Sequence, residues 1–318
     1  MPRIAVVGSC NVDLTTFTER FPRAGETLFG TGFDLGFGGK GANQAFAARR
    51  CGAEVAMIGC VGGDLFGQAT AQNFELAGID TSHVRVVDGV PTGVAPIFVD
   101  ATGQNRIIVV KGANEMLTPA DVDAAESVLA RADCVVLQFE VPLETVIHTS
   151  RMARAHGIRT IVNPAPATKI DLKKLAGIDY FVPNETEAEA LTGFELRTES
   201  DLSRCARVLL DQGFQRVIIT LGARGALLAV SDGMDLVQGF RVHTKDTTGA
   251  GDAFIGSFAT FLAEGAAERD AIRRANLYAA LSTTRAGTQK SFATREEFEA
   301  EWARLAVGRS PEGSRYNE

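Results

Sequence analysis

From residue 118 onward the chain alternates short apolar runs with segments of helical length, and this rhythm limits the fold more than any other feature. Thr118-Pro119 supplies an N-cap followed by proline at the first helical position, predicting a helix to residue 130. Residues 134–139 read as a buried strand ending at Glu140, and 142–155 as a helix stopped by Gly157. Strands at 160–162 and 180–182 run into Asn163 and Asn184, and Asn184 with Glu187 three residues on has the pattern of a capping box. A helix at 200–212, a strand at 217–220 and a hairpin of 226–230 with 237–240 follow. Helices at 251–264, 268–286 and 295–305 close the pattern. Parallel strands need crossovers of a dozen residues or more, which helices supply, so the prediction is an α/β fold with a doubly wound, mostly parallel sheet. With 318 residues, 45% of them hydrophobic, the chain suits one large domain, residues 1–318. No repeat or linker divides it, and the polar tail 308–318 is expected to be mobile.

The first third departs from the rhythm. Residues 4–7 predict a strand ending in a polar turn at 9–13; a helix at 42–50, a strand at 55–60 and a helix at 66–77 come later. Residues 25–41 are rich in glycine, and the runs 92–100 and 105–110 form a hairpin through 101–104. These pieces predict a small sheet, a lid formed by about 14–40 and 92–111. One face of its strand carries Gly93, Ala95, Ile97 and Val99, and the other Thr92, Val94, Pro96 and Phe98. Both are largely apolar, so a flap standing clear of the main domain leaves one uncovered, which predicts a lid-to-lid homodimer. In the competing reading this strand is central in the main sheet. Pro96 withholds one ladder donor in either case.

Net charge is −7, which gives no support for nucleic acid or an anionic membrane as partner. The five cysteines are scattered, without metal-type spacing, as expected of buried thiols in a reducing cytoplasm. The first apolar run is too short for a signal peptide, and none approaches a membrane span. His83, His148, His156 and His243 form no metal pattern, and neither Gly-x-Ser-x-Gly nor His-Glu-x-x-His occurs.

The chemistry concentrates at residues 246–254, Asp-Thr-Thr-Gly-Ala-Gly-Asp-Ala-Phe. Glycines there turn the backbone tightly, and the helix that follows adds unpaired N–H groups and a positive dipole end. The combination suits an anion, with Asp252 at its mouth as a base for a hydroxyl attacking a phosphoryl group; a plain helix cap fits the same residues. Asn11 and Asp13 suit sugar-like hydroxyls, or an Asx-turn. Gly36-x-Gly38-x-x-Gly41 matches a dinucleotide fingerprint, but no buried parallel strand precedes it and no acidic residue ends the next strand. It offers a backbone-rich approach with Lys40 and Asn43 as donors. Strand ends of a parallel sheet share one edge, so Asn11, Asp13, Glu140, Asn163, Asn184, Glu187, Thr220 and 246–252 should line one crevice.

Four segments, 8–13, 38–44, 183–187 and 246–252, carry a resemblance to the ribokinase branch of the PfkB carbohydrate kinase family that covers residues 3–305. The resemblance implies a Rossmann-like domain with a small β-sheet lid, and transfer of phosphate from ATP to O5 of D-ribose. Within it Asp252 is the base, Gly249, Ala250 and Gly251 form the anion hole, and Asn11, Asp13, Gly39, Lys40, Gly41, Asn43, Ala95, Ile97 and Glu140 surround the pentose. Asn184, Thr220, Gly222, Gly225, Gly251 and Asn276 line the nucleotide site, and Glu187 serves Mg²⁺ through water. Asp246, Thr248, Ser282, Arg285, Gly287 and Ser291 surround an activating K⁺, mostly by backbone carbonyls. Alternatives are another sugar or nucleoside kinase, such as a deoxyribokinase, and a non-catalytic sugar-binding regulator.

Overall fold

The computed structural model describes residues 1–307, and the tail expected to be mobile lies outside them. In chain order, β1 (Arg3–Val7) leads into β2 (Asn11–Phe17), β3 (Gly32–Gly38) and α1 (Lys40–Arg50). Next come β4 (Glu54–Gly62), α2 (Leu65–Ala77), β5 (Asp80–Val87), β6 (Gly93–Val99) and β7 (Asn105–Ile107). After a 3-10 turn at Gly112–Met116 stand α3 (Pro119–Ala124), α4 (Glu126–Leu129), β8 (Cys134–Leu137), α5 (Leu143–Ala155) and β9 (Arg159–Val162). The chain continues through β10 (Tyr180–Phe181), α6 (Glu185–Thr192), α7 (Glu199–Leu210), β11 (Arg216–Thr220), β12 (Gly225–Val230) and β13 (Gly233–Gln238). It ends with α8 (Ala250–Ala263), α9 (Glu268–Ser282) and α10 (Arg295–Val307).

Among the described residues, nine strands form the main sheet in the order β13-β12-β11-β10-β9-β8-β1-β4-β5. Only the β11–β12 and β12–β13 pairs are antiparallel. Period-two packing is plain in β1, where Ile4 and Val6 face one core and Ala5 and Val7 the other. The first core is covered by α1, α8 and α9, and the second by α3 to α7. Windings in opposite directions diverge between β1 and β8, so a crevice opens beyond their C-terminal ends.

A second sheet, in the order β3-β2-β6-β7, pairs β2 with β6 in parallel and its other neighbours antiparallel. It contains the strand at 92–99, which is therefore not central in the main sheet. Asn11 and Asp13 start β2 rather than sitting in a turn, and neither forms an Asx-turn. Pro96 accepts from Ile108 N at 3.1 Å but cannot donate back. The β6–β7 ladder stops at Ile107 and resumes only as a bridge between Val94 and Val110.

Several local expectations change: the second hairpin strand expected at 237–240 is Gly233–Gln238, and the helix expected at 268–286 ends at Ser282. The helix at 118–130 breaks at Ala125 into α3 and α4, and α1 starts at Lys40 rather than residue 42. The edge strand β5 escapes notice because its Asp80, Ser82, His83 and Arg85 hide any apolar alternation. Thr118 pairs with Asp121, and Asn184 with Glu187, in full capping boxes.

Candidate active site

At the divergence of the sheet, close backbone approach fixes the geometry. Gly39 takes φ 87°, and a side chain on Gly41 would come within 2.5 Å of Ser9 N, so the start of α1 lies against the end of β1. Glu140, just beyond β8, binds both segments: its Oε2 accepts from Ser9 Oγ at 2.5 Å and from Lys40 N at 2.9 Å. Residues separated by 100 positions or more are thereby joined in one corner of the cleft.

Asp252 stands in the first turn of α8, behind the left-handed Gly249, and is 7% exposed. Its Oδ2 accepts from Asn43 Nδ2 and its Oδ1 from Gln44 Nε2, both at 2.9 Å. Burial pushes the carboxyl pKa up, and Lys40 with the two amides pulls back without cancelling it. Lys40 itself is lowered by burial, but Asp252, Glu140 and Glu187 outweigh that and hold its ammonium charged. At the helix start Ala250 N donates to Thr247 O at 3.2 Å, while the N–H groups of Gly249, Gly251 and Asp252 meet no acceptor among the described residues. A side chain on Gly251 would find open space, so the helix start is uncovered beside these free donors.

Asn11 and Asp13 project from β2 on the face shared by Gly93, Ala95 and Ile97 of β6, with Asp13 opposite Ala95 in the register. Asn114 Nδ2 donates to Asn11 Oδ1 at 2.7 Å, which leaves the Asn11 amide N–H groups for the cleft. Asp13 accepts no hydrogen bond among the described residues, and burial, then Glu140 and Asp252, raise its pKa to about 6. A half-buried carboxylate without donors suits hydroxyl groups.

Beyond Asp252 lies a cavity of about 550 Å³ between β11, the β12–β13 hairpin and α8–α9. It collects the expected Thr220, Gly222, Gly225, Gly251 and Asn276, with Phe240, Val242 and Phe254 as apolar walls. Its small residues admit a flat group. A larger groove of about 1080 Å³ beside α7 holds none of this machinery. Asn184 and Glu187 border the cleft through the bridge of Asn184 to Thr220. Both Glu187 oxygens are occupied, Oε2 by Asn184 N at 2.9 Å and Oε1 by Asn184 Nδ2 at 3.0 Å.

Of the remaining expected residues, Asp246, Thr248 and Gly287 meet where two loops touch. Asp246 accepts from Thr248 N and Oγ1 at 2.9 and 2.7 Å, and from Gly287 N at 2.9 Å. Burial lifts its carboxyl, but these bonds outweigh it and hold the pKa below the usual range. The carbonyls of Thr248, Arg285, Gly287 and Ser291 accept nothing among the described residues, whereas that of Ser282 takes Arg285 N at 3.4 Å. The Arg285 side chain turns away to Glu297.

Several polar groups here carried no signal in the sequence. Gln138, Asn114, Asn73 and Gln289 are isolated amides in chain order, yet Asn114 holds Asn11, and Gln289 Nε2 donates to Asn43 Oδ1 at 3.1 Å. Gln44 lay inside a noticed stretch without a role, whereas Asn163 was expected at the crevice and is found there, bonded to Gln44. All five cysteines are buried, and none is in a disulfide. Among the described residues no helix is long and apolar enough to cross a membrane.

The chain resembles known proteins over most of its length. The model of the pfkB family carbohydrate kinases matches residues 1–295. A deoxyribokinase of Salmonella typhi is 45% identical over 296 residues, spanning 93% of this chain and 97% of that protein. A ribokinase of Haemophilus influenzae is 41% identical over 294 residues, 92% of this chain and 96% of its own. The structure of Arabidopsis thaliana ribokinase complexed with ribose and ATP superposes with TM-score 0.87 at 30% identity, covering 94% of this chain and 98% of that one.

Proposed function

The chain belongs to the pfkB family of carbohydrate kinases, and on that premise we propose that it transfers the terminal phosphoryl group of ATP to O5 of D-ribose. The observation that carries this reading is Asp252, a buried carboxylate fixed through both oxygens beside unpaired helix N–H groups. Phosphoryl transfer demands positioning and charge neutralisation more than covalent chemistry.

Asn11, Asp13, Asn43 and the Gly39–Gly41 backbone hold the sugar ring, with Ala95 and Ile97 above it and Lys40 and Glu140 at its side. Asp252 accepts the proton of the primary hydroxyl as its oxygen attacks in line. The N–H groups of Gly249, Gly251 and Asp252 receive the phosphoryl oxygens, and adenosine lies in the cavity lined by Thr220, Gly222, Gly225 and Asn276. Mg²⁺ would neutralise the phosphates; occupied Glu187 oxygens fit a role for this residue through water. The unpaired carbonyls of Thr248, Arg285, Gly287 and Ser291 would hold K⁺, whose charge would steady the loop that leads into the anion hole. The second sheet acts as a lid within a single domain, and the protein works as a cytoplasmic homodimer joined through that sheet.

A second reading, phosphorylation of 2-deoxy-D-ribose, draws support from the 45% identity to a deoxyribokinase. An ADP-release assay on both sugars tests the pair. Ribose is the substrate if its kcat/KM exceeds that of 2-deoxyribose; the reverse order selects the second reading, and no turnover of either removes both.

A further inference from the structure

The base is held by a chain of buried amides whose polarity is dictated from both ends. Asp252, as a carboxylate, can only accept, so Gln44 must aim its NH₂ at it. That leaves Gln44 Oε1 to accept from Gln138 Nε2, at 2.7 Å. Gln138 Oε1 is then the terminus, fully buried against Gly8 with no hydrogen-bond partner. A buried orphan acceptor is costly, and here it follows from the orientation the base imposes.

The other branch fixes the same polarity independently. Asn163 Nδ2 donates to Val182 O at 2.9 Å and to Glu187 Oε2 at 3.4 Å, both of them pure acceptors. Asn163 Oδ1 must therefore face Gln44, whose Nε2 reaches it at 3.3 Å. Were Asp252 to take up a proton, Gln44 could not simply turn its oxygen to the new O–H. The same turn would set that oxygen against Asn163 Oδ1. The network thus opposes protonation of the base and connects it to the cap of α6.

We propose that Gln44, locked by Gln138 and Asn163, is a positioning residue that orients Asp252 and keeps it in its acceptor-only state. This rests on Asp252 being the base. The charged groups facing that carboxylate are Lys40 on α1, Asp13 on β2, Glu140 beyond β8 and Glu187 on α6. Lys40 favours its charge and the three carboxylates oppose it, so loss of a donor from Gln44 shifts the balance toward the protonated form.

The test is the pH profile of kcat, with sugar, ATP and Mg²⁺ saturating, for Gln44→Met, Gln138→Met and Asp252→Asn. Gln44→Met should lower kcat roughly tenfold to a hundredfold, leave both KM values within threefold, and move the acid limb up by about one pH unit. Gln138→Met should shift the limb in the same direction by less, with nearly unaltered thermal stability, since it removes the orphan acceptor of Gln138 while leaving Gln44 Oε1 unpaired in its place. Its smaller change keeps the proposal testable if Gln44→Met fails to fold. Wild-type profiles in both variants, alongside an inactive Asp252→Asn, would overturn the inference alone. An active Asp252→Asn would instead remove the base on which it rests.

Discussion

The carboxylate of Asp13 fills the space in which a side chain on Gly38 would stand: a Cβ there would lie 2.4 Å from Asp13 Oδ1. Gly38 sits one strand away on β3 and turns no chain corner here, so its lack of a side chain serves Asp13. Gly38→Ala should displace the carboxylate and cost one charge-assisted hydrogen bond to the sugar, about 1.5–3 kcal/mol. Sugar KM should rise tenfold or more while the KM for ATP holds. Equal, twofold changes in both constants would remove Asp13 from the sugar site.

Asp13 also sets a pH window. Its pKa is raised from 3.8 to about 6, so between those values the folded protein keeps a proton that the unfolded chain has released. Stability contributed at this site therefore falls as pH rises through the window. The penalty is complete by pH 7, on the order of 1–3 kcal/mol. Asp13→Asn should accordingly raise the Tm of the sugar-free protein at pH 7.5, with the gain shrinking toward pH 4. In the wild type, sugar KM should climb as pH drops through about 6, because the protonated carboxyl loses its strongest acceptor character. A KM flat from pH 5 to 8 would contradict this.

Asp252→Asn preserves shape and hydrogen-bond partners on one side but has no basicity. Folding and sugar binding should persist while kcat falls by roughly 10²–10⁴. Single-turnover kinetics separate this from a binding defect; a loss below tenfold would assign the proton to another acceptor.

How much of this could be read in the chain depended on whether a feature is local. The doubly wound sheet was legible because β1, β8, β9 and β11 are apolar runs separated by helices, and Asp252 was marked by the glycines beside it. Strand β5 was not, since an edge strand is held mainly by its backbone ladder to β4 and tolerates Asp80, Ser82, His83 and Arg85. Nor were the amide locks: Gln138 meets Gln44 across 94 positions and Asn114 meets Asn11 across 103. Lone amides acquire meaning only once the fold has buried them.

The loop junction at Asp246 predicts a dependence on monovalent cations. The carbonyls of Thr248, Arg285, Gly287 and Ser291 accept nothing among the described residues, and Thr248 and Gly287 hold the Asp246 carboxylate ionised. Replacing Na⁺ by K⁺ at constant ionic strength should raise kcat several-fold, on the order of 1 kcal/mol of transition-state stabilisation. Asp246→Ala should abolish that difference. Identical wild-type rates in the two salts would dispose of the cation.

The outer face of the second sheet decides the quaternary prediction. Strand alternation places Leu14, Phe33, Leu35, Pro96, Phe98 and Arg106 on the side away from Asn11 and Asp13. Phe33 is 64% and Leu35 38% exposed on the β3 edge, and Ile108, just past β7 at the opposite edge, is 61% exposed. An apolar sheet face left open in this way calls for a partner. A second copy of the same face meets it with twofold symmetry and needs no other protein. Phe33 is the sharper probe because, exposed as it is, Phe33→Asp removes little packing from one subunit but would bury two like charges in the pair. Sedimentation of the wild type at micromolar concentration should give a dimer, and Phe33→Asp a monomer of nearly unchanged Tm. Since Asn11 and Asp13 lie on the opposite side of that sheet, the freed variant should also bind sugar more weakly. A wild-type monomer with full affinity for sugar would show that the face needs no partner.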